Sequence, residues 1–335
     1  MVTWATVAED EAAQRWDKDL EHLAGDGLLQ SVGWGNYKKT QGWTPVRLEA
    51  RSAQQGPVAM AQILVRTYLG RTVVAWCPGG LAGPIDLWSS DLLDRIATVT
   101  RARRLYLRAT FSRPCTDHDA RYLGSRGWAR PRSPVGAPMT MIWDLPETDE
   151  QMLAGLSSNW RHNLNRALRR KLRVSRWTDA SPAVLGRLFD AMAAYKKINS
   201  GFDVSRLAAL LHSLEGRVVI FGCEDEDGVP LAVRACAVQG TSAWDLLAAT
   251  SPEGRRRYAS YAVFWALARE CRALGVTNYD LSGVDPTDGR GVYDFKRGTG
   301  AREVRWLGEW EWSTSALLRH GVNLATRHRS DSGLP

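Results

Sequence analysis

The stretch "GVPLAVRACAVQG" (Gly228–Gly240) has a counterpart far upstream in "GPVAMAQILVR" (Gly56–Arg66), and the pair decides how the chain is organised. Each reads as a turn feeding a strand, with Pro57 and Pro230 set 173 residues apart. Further on, "RARRLYLRATF" (Arg101–Phe111) matches "RALGVTNYDLSGV" (Arg272–Val284) in type, a helix end running into a strand. Tyr106 and Tyr279 repeat the 173-residue offset. "YLGSRGWA" at Tyr122 then matches "YDFKRGTGA" at Tyr293, offset by 171. Matches in one order at nearly one offset mark a duplication. Within each half the order is strand, strand, helix, strand, helical turn, strand, which calls for a mixed sheet covered by helices, an α+β architecture.

In the second half the helix is "SYAVFWALARECRALG" (Ser260–Gly275), with Val263, Ala266, Leu267 and Cys271 facing inward and Gly275 ending it. The basic turn "SPEGRRRYAS" (Ser251–Ser260) precedes it. That order resembles the acyl-CoA N-acyltransferase (GNAT) fold, whose glycine-rich loop cradles a pyrophosphate at a helix start. The loop of that fold is similar to R-x-x-G-x-A; here Tyr258 takes the glycine position, where its side chain obstructs a pyrophosphate. The expected architecture is two tandem GNAT-like domains. Residues 1–145, completed by 313–335, form the first, and residues 146–312 the second.

Composition narrows the function classes. With 335 residues, 44% hydrophobic and 24% charged, the chain is long enough for two well-buried cores. No apolar run approaches the roughly 20 residues of a membrane span. The N-terminal "MVTWATVAEDEAAQRW" carries acids where a secretory signal carries a basic end, so a cytoplasmic location is expected. Cys77, Cys115, Cys223, Cys236 and Cys271 lie far apart without a CxxC pair, which suits reduced, mostly buried thiols. No tight His/Cys/carboxylate cluster stands out, and no metal is expected. The net charge is +8 and uneven: "SSNWRHNLNRALRRKLRVSR" (Ser157–Arg176) holds seven Lys/Arg and no acid. Trp160, Leu164, Ala167, Leu168 and Leu172 recur at helical spacing, and Arg161, Asn165, Arg169 and Arg173 form a second stripe. Like charges four residues apart destabilise a helix slightly unless an anion offsets them, and a phosphate-rich partner would do so.

Four segments together resemble the Fem family (FemABX) of non-ribosomal aminoacyl transferases that use charged tRNA: "LQSVGWGNYKK" (Leu29–Lys39), "CPGGLAGPID" (Cys77–Asp86), "SSNWRHNLNRALRRKL" (Ser157–Leu172) and "GVYDFKRGTGAREVRWLGEWEW" (Gly291–Trp312). With no room for a helical-arm insertion, the chain is similar to the short, FemX-type form. The resemblance implies transfer of an amino acid from the 3′ ester of aminoacyl-tRNA to an acceptor amine. No cofactor is implied, because the ester is already activated and the charged tRNA is a co-substrate. It also implies that Lys296 of "YDFK" lies at the tRNA end and stabilises developing charge, with Phe295 stacking near the terminal bases. Arg297, Arg161, Arg169 and Arg173 are expected on the tRNA-facing surface. Lys38, kept in the spacing Trp34, Gly35, Lys38 beside Tyr37, matches the family lysine that holds an acceptor phosphate.

Two departures from the family pattern bear on the acceptor. Asn199 in "YKKINSGF" stands where relatives carry a phosphate-gripping arginine, with Lys197 and Arg206 near it as substitutes. Trp244 and Asp245 in "SAWDLLAAT" replace a family tyrosine, and Asp245 is expected to put an acid in the acceptor cleft, binding an ammonium or accepting a proton. The acceptor is then a peptidoglycan precursor peptide or a peptide or amine intermediate of natural-product biosynthesis. Competing readings are an acyl-CoA-dependent N-acyltransferase of the same duplicated fold, and a nucleic-acid-binding protein without catalysis. A monomer without stable membrane insertion is the default expectation.

Overall fold

The computed structural model describes residues 2–24, 27–51, 56–196, 203–287 and 289–327. They divide into two compact units, one made of the chain up to Pro138 together with the segment from Arg305, the other of Met139–Val304.

The first unit opens with strand β1 (Thr3–Val7), helix α1 (Glu9–Ala24), helix α2 (Val32–Lys39), strand β2 (Thr44–Arg51) and strand β3 (Pro57–Tyr68). Strand β4 (Thr72–Gly79), helix α3 (Ser90–Thr100), strand β5 (Arg104–Pro114) and helix α4 (Asp117–Ser125) follow. The second unit contains β6 (Met139–Asp144), α5 (Asp149–Gly155), α6 (Ser158–Leu168), β7 (Arg173–Arg176), α7 (Pro182–Lys196) and α8 (Val204–Ser213). It continues with β8 (Val218–Glu224), β9 (Pro230–Gln239), β10 (Ser242–Thr250), α9 (Pro252–Arg256), α10 (Ala259–Ala273), β11 (Asn278–Gly283) and α11 (Arg290–Arg297). Strand β12 (Arg302–Ser313) and helix α12 (Ala316–Arg327) complete the chain's described part.

The duplication is visible in the pairing. In the first unit the order is β1-β2-β3-β4-β5-β12, antiparallel throughout except for the parallel β4/β5 pair. In the second it is β7-β8-β9-β10-β11-β6, again antiparallel except for parallel β10/β11. The crossover helix of each parallel pair, α3 or α10, is the helix the sequence pattern calls for. Pro57 and Pro230 begin β3 and β9, and Tyr106 and Tyr279 lie in β5 and β11. The units part at Pro138 and Val304, several residues before the expected boundaries of 145 and 312. The reason is pairing: β6 joins β11, whereas Trp306 to Ser313 of β12 join β5.

Local sequence explains the core of the second unit. Ala259, Ala262, Val263, Phe264, Trp265, Leu267, Ala268 and Cys271 are buried on α10, a broad apolar face through which Val263, Leu267 and Cys271 run at spacings of four, while Ala266, expected inward, is half-buried. The helix stops where expected: Gly275 takes φ +84, and its N–H returns to the Arg272 carbonyl. The basic stretch 157–176 does not form one helix. α6 ends at Leu168, which is 61% exposed, and the chain turns into β7, so Arg173 leaves the expected stripe. Trp160, Leu164 and Ala167 are buried as the periodicity requires. Four of the five cysteines are buried and Cys115 is exposed; all five are free thiols. Among the described residues no helix is long and apolar enough to cross a membrane, and no group of His, Cys, Asp and Glu is arranged to hold a metal.

The join between β10 and α10 rests on Gly254, whose added β-carbon would overlap the Leu231 carbonyl oxygen of β9. That oxygen already accepts the Ser251 N–H at 2.9 Å, so backbone rather than a flexible side chain would have to give. Gly254→Ala is expected to cost about 1–3 kcal/mol of unfolding free energy, read by urea denaturation.

Candidate functional site

The two parallel pairs differ in one respect. β4 and β5 stay paired from Thr72/Arg104 to Gly79/Phe111, along the whole of β4. β10 and β11 pair only from Ser242/Asn278 to Trp244/Asp280 and then part. The parting begins at a bulge in β10 between Asp245 and Leu247, matched by an irregularity between Asp280 and Gly283 of β11. An opening at the carboxyl ends of parallel strands is where α/β proteins take ligands.

Buried charges line this opening. Arg234 is the single charge in the apolar run of β9, and Asp245 the single charge of β10. They form a two-pronged ion pair, Nε to Oδ1 at 2.9 Å and Nη2 to Oδ2 at 2.7 Å. Both side chains are under 10% exposed, at 7% and 8%. The Arg234 guanidinium also lies over the rings of Phe264 and Phe295, at 4.4 and 5.3 Å. Burial alone would lower its pKa, and Asp245 more than reverses this, so the net shift is upward. The Tyr279 hydroxyl donates to Asp245 Oδ1 at 3.4 Å, and burial holds that phenol protonated by raising its pKa well above the ordinary value. Asp245 is therefore not the open acid that its place in the sequence suggested; its carboxylate is taken by Arg234 and Tyr279.

Lys296 enters from the last turn of α11. Its Nζ donates to the carbonyl oxygens of Ser282 at 3.1 Å and Gly283 at 2.9 Å. An ammonium has three donors, and the third has no acceptor among the described residues. Burial pulls the Lys296 pKa down to about 8; the nearby Asp245 carboxylate partly offsets this and the Arg234 charge adds to it. Ser282 presents its carbonyl from a left-handed backbone conformation, φ +66, tied down by its hydroxyl to the Asp245 carbonyl at 2.9 Å and by its N–H to Asp280 Oδ1 at 2.8 Å.

The remaining predicted residues fall as follows. Phe295 does not stand free for stacking: it packs on Trp160, Tyr261 and Phe264, with ring centroids 5.6, 5.1 and 5.5 Å away. Trp244 is half-buried on β10 beside Asp280, and Arg297 is exposed at the end of α11. Arg161 donates to the carbonyls of Leu153, Ala154 and Leu156, closing the carboxyl end of α5. Arg206 is paired with Asp203 at 3.3 Å. Asn199 and Lys197 lie outside the described residues.

Arg169 joins Arg166, Arg170 and Tyr258 around a cavity of about 480 Å³. Tyr258 takes φ +60 at the start of α10, so the position has the backbone that a glycine favours and carries a tyrosine instead. That conformation costs a non-glycine residue on the order of 1 kcal/mol. The Arg166 Nη1 donates to the Tyr258 hydroxyl at 2.6 Å.

In the first unit, described by itself, Lys38 is 2% exposed. Its ammonium lies 4.8 Å from the Trp34 ring, 4.9 Å from Tyr37 and 5.4 Å from Trp76, and donates to Gln41 Oε1 at 3.2 Å. The aromatic wall of the sequence is real, but it encloses the cation rather than presenting it to an anion.

Arg234, Tyr279, Ser282, Arg166 and Arg170 were not singled out from the sequence as site residues. A signal for the first existed: one arginine in "PLAVRACAV" and one aspartate in "SAWDLLAAT" are lone charges in buried strands and must find each other.

The acetyltransferase (GNAT) domain family matches residues 158–297 of this chain. Solved structures match almost all of it. The crystal structure of FemX superposes with a TM-score of 0.82 at 17% identity, covering 96% of this chain and 99% of that one. The tandem GNAT protein from the clavulanic acid biosynthesis pathway gives 0.56 at 17% identity over 94% and 99%. The C-terminal domain of a putative lysylphosphatidylglycerol synthetase from Agrobacterium fabrum gives 0.55 at 13% over 96% and 97%. A comparison with curated proteins finds no match. The fold is thus that of a tandem pair of GNAT-like domains, with the acetyltransferase (GNAT) family matched in the second. Within that class the fold is similar to that of FemX.

Removing one partner of the Arg234–Asp245 pair leaves a buried, uncompensated charge. Asp245→Ala is expected to destabilise the protein by about 3–5 kcal/mol. Arg234→Met combined with Asp245→Leu should recover most of that loss, as read from paired denaturation curves.

Proposed function

We propose that the chain is an aminoacyl-tRNA-dependent aminoacyltransferase that forms an amide between the amino acid of a charged tRNA and an acceptor amine. The observation that carries this reading is Lys296, a buried ammonium held by two backbone carbonyls, its third donor without an acceptor among the described residues, where β10 and β11 part. In the reaction the amine nitrogen attacks the ester carbonyl carbon. A tetrahedral oxyanion forms, the carbon–oxygen bond to the ribose breaks, and the ribose hydroxyl leaves with a proton while the amine gives one up. A preorganised cation in a water-poor site stabilises the charge that develops in this step. Positioning amine and carbonyl supplies the rest, and the ester's own activation makes ATP, a metal or another cofactor unnecessary.

The basic surface supports a nucleic-acid donor. Arg169, Arg166 and Arg170 line a cavity suited to phosphate, with exposed Arg173 and Arg297 as further phosphate contacts. The acceptor is a peptide or small molecule with a free amine, either a peptidoglycan precursor peptide or a natural-product intermediate, and the likeness to FemX supports the first. Acyl-CoA transfer is the second reading, favoured by the same arginine cavity at a GNAT helix start. Against it stands Tyr258, whose side chain occupies the turn at which a pyrophosphate must approach the backbone.

The test gives the purified protein tRNA charged with labelled amino acids, an extract of small amine acceptors and, in parallel, labelled acetyl-CoA. RNase-sensitive transfer is expected; transfer from the coenzyme alone overturns the reading. Lys296→Met should lower the rate by about 100- to 1000-fold while leaving tRNA affinity nearly unchanged. The ammonium form is the active one and its pKa is about 8, so the rate should fall as pH rises through that value. The fall is read after dividing by the Lys296→Met profile, which carries the titration of the acceptor amine; a rise that survives this division would make Lys296 a base. Because the fold lowers this pKa, the charged lysine weakens the folded state at neutral pH, and the Tm of Lys296→Met there should be no lower than the parent's.

A further inference from the structure

One rim of the first unit gathers exposed apolar side chains and arginines. The turn between β3 and β4 carries Leu69, 97% exposed, and Tyr68, 52% exposed. Helix α12 begins with Leu317, 86% exposed. Backbone pairing places these on the same rim. Arg103 N–H donates to the Arg71 carbonyl at 2.9 Å, Thr72 pairs with Arg104, and Thr314 N–H, just before α12, donates to the Leu105 carbonyl at 2.9 Å. Arg71, Arg101, Arg103 and Arg104 are all exposed, and none forms an ion pair with a described residue. Arg71 and Arg101 sit at φ +56 and +53, turn positions where glycine or asparagine is the usual residue. The nearest acid on α3, Asp94, is six residues before that helix ends at Thr100, so it lies roughly 9 Å back from the rim.

We propose that this rim docks the protein on an anionic lipid bilayer, as a peripheral contact rather than a span. Apolar side chains at a turn tip and a helix start, ringed by arginines, combine the two attractions that hold a protein at a membrane surface: hydrocarbon burial and charge on acidic headgroups. An RNA backbone would use the arginines equally well but offers nothing to Leu69 and Leu317. The proposal is independent of the aminoacyl transfer reading, since Lys296 and the parting strands belong to the other unit.

The experiment is co-sedimentation of the full chain with vesicles of phosphatidylcholine alone or mixed with phosphatidylglycerol, over a range of salt. Binding is expected only to the mixed vesicles and should weaken with salt. Arg71→Ser and Arg103→Ser should each weaken it about fivefold. Leu69→Ser combined with Leu317→Ser should weaken it further while leaving its salt dependence unchanged. All four positions are exposed, so the variants keep the fold, checked by unchanged Tm. Three outcomes overturn the proposal: no binding to mixed vesicles, equal binding to neutral ones, or indifference to the leucine substitutions. Loss of tRNA affinity in the arginine variants without vesicle binding by the parent would reassign the rim to nucleic acid.

Discussion

The ion pair between Arg234 and Asp245 sets the form of the second unit. A guanidinium buried in the middle of a sheet is costly, and a carboxylate in fixed geometry beside it offsets that cost. Register shows how the carboxylate is delivered. Asp245 lies opposite Cys236, two positions from Arg234 on β9, so the two side chains are diagonal neighbours on one face. Immediately after Asp245 the bulge shifts the register, and there β10 ceases to pair with β11. Tyr279 and Ser282 of β11 both return to Asp245, one to its carboxylate and one to its carbonyl, so the parted strands stay tethered at one point. Lys296 hangs from the far side of that tether.

Among the described residues, duplication gives two copies of this sheet, and the parallel strands part in the second. In the first unit β4 and β5 are paired to their ends, and Gly79 and Gly80 follow closely enough that a β-carbon at Gly80 would strike the Phe111 ring. Chain has closed what the second unit leaves open. Its cation, Lys38, is correspondingly enclosed by three aromatic rings. The same order of strands and helices therefore yields one unit whose buried ammonium is held by two backbone carbonyls at an opening and one whose ammonium is enclosed by aromatic rings. Fold alone does not assign chemistry; the pairing length of a single strand pair separates the two.

Much of this was legible in the chain. The repeat offset placed β3 with β9 and β5 with β11, because period and turn residues are local signals. Gly275 ended α10 for the same reason. The helix of the basic segment was read through Leu172 because its periodicity runs that far; α6 ends at Leu168, and pairing of β7 with β8 takes Arg173 into a strand. The role of Asp245 was misread for a related reason. A lone acid in a strand looks like an open site until its partner eleven residues earlier is brought alongside, and that needs the register. Phe295 looked like a stacking platform, and the packing of Trp160, Tyr261 and Phe264 around it is a non-local fact that one segment does not carry.

Backbone strain gives a last line of argument. Among the described residues, four non-glycine positions take positive φ: Arg71, Arg101, Tyr258 and Ser282. Such conformations persist only where the surroundings enforce them, and they gather where a side chain or carbonyl must point in one direction. Ser282 aims its carbonyl at the Lys296 ammonium. Tyr258 places a phenol on Arg166 at the start of α10. Arg71 and Arg101 belong to the arginine rim of the first unit. Glycine would relieve the strain at every one of these positions, and it would also remove the group that each of them presents or, at Ser282, the hydroxyl that fixes the carbonyl. A chain that spends glycine freely elsewhere, thirty of them in all, keeps larger residues at these four turns. The strain thus points to the same three places as the charges do: the Lys296 opening, the arginine cavity at the start of α10 and the arginine rim of the first unit.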